Sequence, residues 1–417
     1  MGTTTRTERL RDLSRAIVAG VIAAGTSGVV HADDEGTDAS RVHLAEMRSA
    51  ATSAPAAGHD GSAFFVGSDD GAFKLKAGGM LQFRYVMNFR DEPTDSDDDL
   101  TNGFQARRTR LEFSGNVINK QTTFMVQTDF NRNGGTATVL DGWVRHEFAE
   151  GWALRFGQFK APLLREELVS GKRMLAADRS ITNGVFTQAR SQGVQLEYDG
   201  DRARVAVAFT DGLNTLNTDF DSSSEADYAL TGRVDLRLKG DWKQFADFTS
   251  WRGSDFGAMI GLAGHWQSGG DTGGTVDADL LEYTADLSLE GNGWNAFAAF
   301  IGRSTDSEAS GDFDDFGVVV QGGVFLTNKT ELFARYDIVM PDDGRDSDDD
   351  DFSTITAGIN HYFVEQSHAA KLTVDVLYFL DAQADSSSVV SRSTGVGLLP
   401  DAEDGQIAAR VQFQLLF

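Results

Sequence analysis

The sequence predicts an all-β fold, a transmembrane antiparallel β-barrel of about sixteen strands with one long loop folded inward. Three observations predict it. Apolar and polar residues alternate in segment after segment from Ala72 onward, tight turns alternate with long acidic loops, and the final segment ends on an aromatic residue. Alternation with a period of two places apolar side chains on one face of a strand and polar ones on the other.

Composition excludes several classes of protein. The 417 residues contain no cysteine, which excludes a disulfide framework and any thiolate metal site. The formal net charge of -26 argues against a nucleic-acid partner, because phosphate binding needs a basic surface. The HExxH, GxSxG and P-loop motifs are absent. We therefore predict that the protein is not an enzyme and that it holds neither a metal nor another cofactor.

The first residues have the layout of a secretory signal. Four arginines precede a run of apolar and small residues at Ala16–Val30, and small residues continue to Ala32 before two aspartates. This layout predicts a signal peptide over residues 1–32, cleaved after Ala32. The alternative, a membrane anchor, is disfavoured because the run falls short of the roughly 20 residues needed to span a bilayer.

Residues 33–62 predict a short periplasmic segment before the barrel. Asp38–Ala54 has the pattern of a short helix, and Pro55–Ser62 that of a small-residue linker. The barrel domain is predicted over residues 63–417. After residue 32 there is no long apolar run, so a membrane-embedded mature chain must close into a barrel to satisfy its backbone hydrogen bonds.

Strand length and loop pattern separate a membrane barrel from a soluble β-sandwich, which alternates in the same way. The alternating segments run for about 10 residues or more, enough to cross a bilayer when tilted, whereas sandwich strands average nearer 5–6. Short turns alternate with long acidic connections, the pattern of barrels with short periplasmic turns and long external loops. The acidic connections are Asp91–Asp99, Asp219–Asp227, Asp306–Asp315, Asp342–Asp351 and Asp381–Asp404.

The last segment, Ile407–Phe417, alternates to its final residue. Such a strand resembles the terminal signal by which outer-membrane proteins are recognised by the barrel-assembly machinery. We therefore predict Phe413, Leu415 and Phe417 as an assembly signal.

One long connection differs from the others in charge. Lys160–Arg190 holds six cations and three carboxylates, a balance of +3, whereas Arg90–Asn102 holds one arginine and six carboxylates, a balance of -5. A basic loop folded into a lumen would raise the local anion concentration, and low-dielectric walls would strengthen its field. The alternative is a solvated external loop with ordinary charges.

The same region carries a resemblance to a known family. The segment FGQFKAPLLREELVSGKRMLAADRSITNGVF at Phe156–Phe186 resembles the signature of the phosphate-selective porin O and P family, as do GAFKLKAGGMLQFRYV near the first strand and RRTRLEFSGNV in the second. This resemblance implies a sixteen-stranded trimeric barrel whose basic residues line an anion pathway. The residues that it implies for the constriction are Lys160, Arg165, Lys172, Arg173 and Arg179.

Polar residues opposite the apolar faces are predicted to line the lumen. The arginines among them are Arg84, Arg108, Arg110, Arg145, Arg155, Arg233 and Arg335. Carboxylates share this face, which leaves two alternatives open: a non-selective or cation-favouring porin, and a structural or adhesive barrel with acidic external loops.

The predicted function is passive diffusion of small anionic solutes, phosphate among them, across the outer membrane of a Gram-negative-type cell. The predicted partners are outer-membrane lipid, the barrel-assembly machinery and further copies of the chain.

Overall fold

The computed structural model describes residues 56–417, except 62, 96–97, 133, 271–277, 308–310, 346–350, 384–388 and 392–394. The signal peptide and the helix predicted before residue 55 lie outside the described residues. Within the described ranges, no helix is long and apolar enough to cross a membrane.

Antiparallel strands make up most of the described chain. They are β1 (Ala56–His59), β2 (Phe64–Gly67), β3 (Lys74–Phe89), β4 (Leu100–Asn116), β5 (Thr122–Phe130), β6 (Ala137–Ala149), β7 (Trp152–Phe159), β8 (Ser191–Asp199), β9 (Ala203–Thr210), β10 (Tyr228–Lys239), β11 (Gly257–Ser268), β12 (Ala278–Gly291), β13 (Trp294–Ser307), β14 (Phe313–Phe325), β15 (Thr330–Met340), β16 (Phe352–Tyr362), β17 (Ala370–Phe379) and β18 (Ile407–Leu416). Two short helices, α1 (Arg165–Leu168) and α2 (Ile181–Phe186), lie between β7 and β8, and a 3-10 turn at Gln244–Ala246 follows β10.

Sixteen of these strands form a closed barrel. Each strand from β3 to β17 pairs antiparallel with the next, and β18 pairs with β3. Closure leaves no unpaired edge in the membrane, where an unsatisfied backbone group would be costly. The predicted barrel of sixteen antiparallel strands is confirmed.

The seam between β3 and β18 closes on the last residue. The backbone N–H of Gly79 donates to the Phe417 carbonyl at 2.7 Å, and the Phe417 N–H donates back to Gly79 at 3.2 Å. A Cβ on Gly79 would lie 2.5 Å from Cζ of the Phe417 ring, so a glycine is needed at that position. Beyond this point β2 pairs with Lys74–Ala77 of β3, and β1 pairs with β2. The predicted linker thus contains a short strand, β1.

Alternation sorts side chains as the sequence predicts. Val126 and Val374 are 41% and 37% exposed on the outside, whereas Thr373 on the inner face is 1% exposed. Exposed outward aromatic residues occur near both strand ends, as in the girdles of membrane barrels. Near the end with short turns they include Trp152, Phe256, Trp294, Phe363 and Phe417, and near the other end Phe104, Tyr228, Trp266 and Tyr283.

Both kinds of connection occur as predicted, with one exception at the short-turn end. The connection between β10 and β11, residues 240–256, is much longer than its neighbours. Phe245 and Phe248 within it are each 3% exposed, and the Phe248 ring centroid lies 4.9 Å from that of Phe297 on β13. This connection therefore turns into the barrel because its aromatic side chains pack there.

Candidate functional site: the barrel lumen

The Lys160–Arg190 segment lies inside the barrel. Inward polar side chains of the wall bind its backbone, which would otherwise leave buried amide groups without partners. Arg233 Nη1 on β10 donates to the Leu163 carbonyl at 2.8 Å, and Lys371 Nζ on β17 donates to Met174 at 2.7 Å. Further such bonds are Asn360 Nδ2 to the Leu175 carbonyl, the Ala177 N–H to Asp375 and the Ile181 N–H to Asp337.

Apolar side chains of the segment pack against one half of the wall. Leu163, Leu164, Ile181 and Phe186 form one cluster with residues of β13 and β15–β18. Val169, Met174, Leu175 and Ala176 form another with Phe248 and residues of β13–β15. The loop therefore fills the half of the lumen bounded by β10–β18, which we call the packed half. The half bounded by β4–β9 we call the open half.

An aspartate of the loop is surrounded by arginines of β3, β4 and β18. Asp178 is 2% exposed and accepts hydrogen bonds from Arg84, from Arg107 at 3.1 Å and from Arg108 at 2.6 Å. Arg410 Nη1 lies 3.7 Å from Asp178 Oδ2. A β-bulge opposite Gln82 and Phe83 places the consecutive Arg107 and Arg108 on the same inner face.

Charged side chains on the open half remain partly exposed. Lys160 and Arg179 lie 3.4 and 3.3 Å from Glu167, and their side chains are each 16% exposed. Across from them are the buried pair Arg190–Asp141, at 2.9 Å, and the half-buried pair Arg110–Asp129, at 3.0 Å. Together with Arg84, Arg107, Arg108 and Asp178, this group holds seven cations and four carboxylates, and seven minus four gives +3.

Burial and neighbouring charge set the protonation of the loop residues. Burial lowers the pKa of Lys160 to about 7, with Glu167 opposing the shift, so the balance of +3 is reached in full only below neutral pH. For Glu167, burial alone would raise the pKa, but Arg179 and Lys160 outweigh it and lower the pKa to about 2. For Asp178, burial is likewise outweighed, here by the surrounding arginines, and the pKa falls well below its ordinary value. Both carboxylates therefore stay ionised at neutral pH.

The structure does not bring the five predicted constriction residues together. Lys160 and Arg179 face the open half, and Lys172 Nζ lies 3.1 Å from Glu112 on β4. Arg165 instead donates to the Phe245 carbonyl and lies over the Phe248 ring at 5.5 Å. Arg173 faces a cavity at the short-turn end and forms no ion pair within the described ranges.

All seven predicted wall arginines lie on the inner face, and each has a carboxylate partner. Arg145 and Arg155 share Glu197, with distances of 2.6 and 2.7 Å. In the packed half, Arg233 pairs with Asp286 at 2.8 Å and Arg335 lies 3.3 Å from Asp337. The remaining pairs are Arg84 and Arg108 with Asp178 and Arg110 with Asp129.

Two residues of this site are missing from the sequence prediction. Alternation assigns Arg107 to the lipid face, and only the bulge turns it inward. The consecutive arginines of RRTR could have indicated the bulge, because strict alternation would place one of them in lipid. From the sequence, Asp178 is only one of the three carboxylates of the Lys160–Arg190 loop. No feature of the neighbouring residues shows that four arginines from distant strands meet there.

Comparison with known proteins agrees with this architecture. The family model described as phosphate-selective porin O and P matches residues 80–246, which include most of β3, all of β4–β10, the Lys160–Arg190 loop and the arginines around Asp178, apart from Arg410. The predicted resemblance is confirmed. The chain has the closed-barrel fold of outer-membrane porins, and residues 80–246 match this family. None of the curated protein sequences matches it.

Solved structures show the same fold at low sequence identity. An anion-selective porin from Comamonas acidovorans has a TM-score of 0.57 at 13% identity, over 82% of this chain and 99% of that one. The outer membrane channel DcaP of Acinetobacter baumannii has a TM-score of 0.55 at 13% identity, over 84% and 99%. The trimer form of OmpT from Vibrio cholerae has a TM-score of 0.54 at 14% identity, over 83% and 100%.

Proposed function

We propose that this porin is a passive channel for small anions, phosphate among them, which cross the outer membrane through the open half of the lumen. The observation that carries the proposal is a balance of +3, made up of +1 among the charged groups that face the open half and +2 in the adjoining cluster of Arg84, Arg107, Arg108 and Asp178. The loop narrows the pore by filling the packed half, so a solute must pass the remaining cations.

The position of these charges explains why a local balance of +3 outweighs the formal net charge of -26 of the whole chain. Inside a narrow lumen, low-dielectric walls and little water leave the field of a charge poorly screened. Several carboxylates of the acidic connections at the other end of the barrel, such as Asp91, Asp219 and Asp312, are exposed to solvent, where fields fade beyond a Debye length of about 8 Å at physiological salt. Anions therefore meet the cations of the loop at close range after passing a screened negative mouth.

The biological setting is part of the proposal. Residues 1–32 direct export and are removed after Ala32, and residues 33–62 precede the barrel in the periplasm. Outer-membrane lipid covers the apolar outer face. The barrel-assembly machinery recognises Phe413, Leu415 and Phe417. The chain assembles as a trimer, which is supported by the trimer form of the structurally similar OmpT.

A weakly selective or cation-favouring pore is the second candidate. The observation in its favour is that the wall arginines are paired, and that Arg145 and Arg155 both contact Glu197. Paired charges largely cancel at a distance, so such a wall would discriminate little between ions.

Planar-bilayer recordings in a salt gradient separate the two candidates. The native channel should show a reversal potential of the sign for anions, and phosphate should block its chloride current. Replacing Lys160, Arg165, Lys172, Arg173 and Arg179 together with glutamine should shift the reversal potential toward cations and weaken the phosphate block.

The structure allows this test to be made with two double variants that remove the same number of cations from different places. Lys160→Gln with Arg179→Gln should reproduce most of the shift, because both side chains face the open half. Arg165→Gln with Arg173→Gln removes the same charge away from that half and should change selectivity little. A native channel that prefers cations would refute the proposal. Equal effects of the two pairs would refute the role of the open half.

A further inference from the structure

A cavity of about 830 Å³ lies at the short-turn end of the barrel. The inward connection between β10 and β11 forms one side of it, and the turn between β16 and β17 forms another. Its volume falls in the range of small-molecule sites, about 300–1,000 Å³. Its lining includes Arg173, Lys243, Asp247, Trp251, Glu290 and His368.

One side of the cavity carries carboxylates that lack a cationic partner in direct contact. Glu290 is 3% exposed, and its side chain forms neither a hydrogen bond nor an ion pair with any described residue. Asp247 and Glu290 repel each other, while Arg165 acts on Glu290 only through space and donates to the Phe245 carbonyl. Ionising a buried carboxyl group held this way is costly unless a cation reaches it.

The other side carries groups that can bind an anion. Arg173 has no ion-pair partner within the described ranges, and Lys243 lines the same cavity. His368 is 8% exposed, and neither of its ring nitrogens forms a hydrogen bond. Its Nε2 lies 3.4 Å from Asp247 Oδ2, so the acidic and basic sides meet at this ring.

An aromatic surface joins the two sides. The Trp251 ring centroid lies 5.4 Å from that of His368, and Trp251 also lines the cavity. A tryptophan face attracts an organic cation and packs against apolar groups.

We infer that this cavity binds a small zwitterion of the amino-acid type. Its ammonium group pairs with Glu290 and Asp247, its carboxylate pairs with Arg173 and Lys243, and its side chain packs on Trp251. A zwitterion satisfies both sides at once, whereas a simple cation or anion would leave one side unpaired and meet a like charge there. The site is distinct from the anion pathway proposed above, because the cations that give the balance of +3, such as Lys160, Arg179 and Arg190, do not line this cavity.

Binding can be measured with the folded protein in detergent micelles, by tryptophan fluorescence or calorimetry. The probes are L-phenylalanine, 2-phenylethylamine, which carries only the ammonium group, and 3-phenylpropionate, which carries only the carboxylate. L-Phenylalanine should bind at least about tenfold more tightly than either analogue, which corresponds to about 1.4 kcal/mol. An analogue that binds as tightly as L-phenylalanine, or no binding of L-phenylalanine at millimolar concentration, would overturn the inference.

Matched variants locate the site. Glu290→Gln keeps the shape of the side chain and should weaken L-phenylalanine binding at least about tenfold while leaving 3-phenylpropionate binding unchanged. Arg173→Gln should weaken L-phenylalanine and leave 2-phenylethylamine unchanged. Glu150→Gln and Lys120→Gln remove the same charges from exposed turns at the same end of the barrel and should leave binding intact. Equal losses in variants and controls would contradict the assigned site. Reversal potentials of the same proteins test the anion proposal separately.

Discussion

The two halves of the barrel have the same alternating sequence pattern but very different interiors. In the packed half, inward polar residues are closed off from water: Glu282 and Thr373 are 0% and 1% exposed. In the open half, the side chains of Arg110 and Asp129 are 16% and 24% exposed. The difference arises because apolar side chains of the Lys160–Arg190 loop, of the connection between β10 and β11 and of the connection between β17 and β18 pack against β13–β18.

This contrast shows that an inward polar residue has no fixed role. On β15–β17 such residues bind the backbone of the loop, so they hold the loop in place. On β4–β8 the same residue types face the remaining space. Under the proposed anion pathway, the lumen-facing charges that set selectivity are those that the loop leaves uncovered.

The largest expected effect breaks the seam where the two halves meet. Removing Phe417, or replacing it with a charged residue, should prevent most of the protein from assembling, since the Phe417 backbone pairs with Gly79 and its ring covers that residue. The measurement is the amount of heat-modifiable barrel in the outer membrane. Leu416→Ala changes the neighbouring residue and should have a smaller effect. Normal levels of assembled barrel without Phe417 would disprove the assembly signal.

The next expected effect compares one substitution in two environments. Asp178→Asn leaves the buried Arg84 and Arg108 without their carboxylate, and breaking a buried pair in this way typically costs about 3–5 kcal/mol. Asp129→Asn breaks a more exposed pair with Arg110, for which about 0–1 kcal/mol is typical. Urea unfolding of the two variants should reveal this difference. Equal losses of stability would contradict the distinction between the Asp178 cluster and the open half.

A smaller effect tests the faces of the strands. Val126→Arg, at the middle of β5 on the lipid side, should cost about 2–4 kcal/mol. Gln127→Arg, next to it on the open half, should cost much less. Thr373→Arg faces inward too, but Thr373 is buried and donates to Asn360 at 2.7 Å. Overpacking there should cost about 1–3 kcal/mol. Alternation alone would treat Gln127 and Thr373 alike, so similar unfolding midpoints for these two variants would contradict the packed half.

The sequence predicts the barrel, but it does not predict which segments and ion pairs fill the lumen. The strands are predictable because lipid on one side and polar groups on the other impose a period of two on every strand, so each segment carries its own signal. The position of Asp178 has no such signal, since its arginine partners lie 70 or more positions away on β3, β4 and β18. The inward connection at residues 240–256 is missed for the same reason, because Phe248 finds its partner on β13.

The sequence by itself determined the sixteen strands and the outward faces of Val126 and Val374. It also determined the length of the loop after Phe159 and the positive charge balance of that loop. Each of these features depends only on residues that are neighbours in the sequence. Only the tertiary structure decided which half of the barrel that loop fills. It turned Arg107 inward through a bulge, paired Arg165 with a backbone carbonyl and left Lys160 and Arg179 facing the open half. The physical reason is that packing and ion pairing depend on which distant strands are brought together when the barrel closes. No pattern among neighbouring residues predicts that.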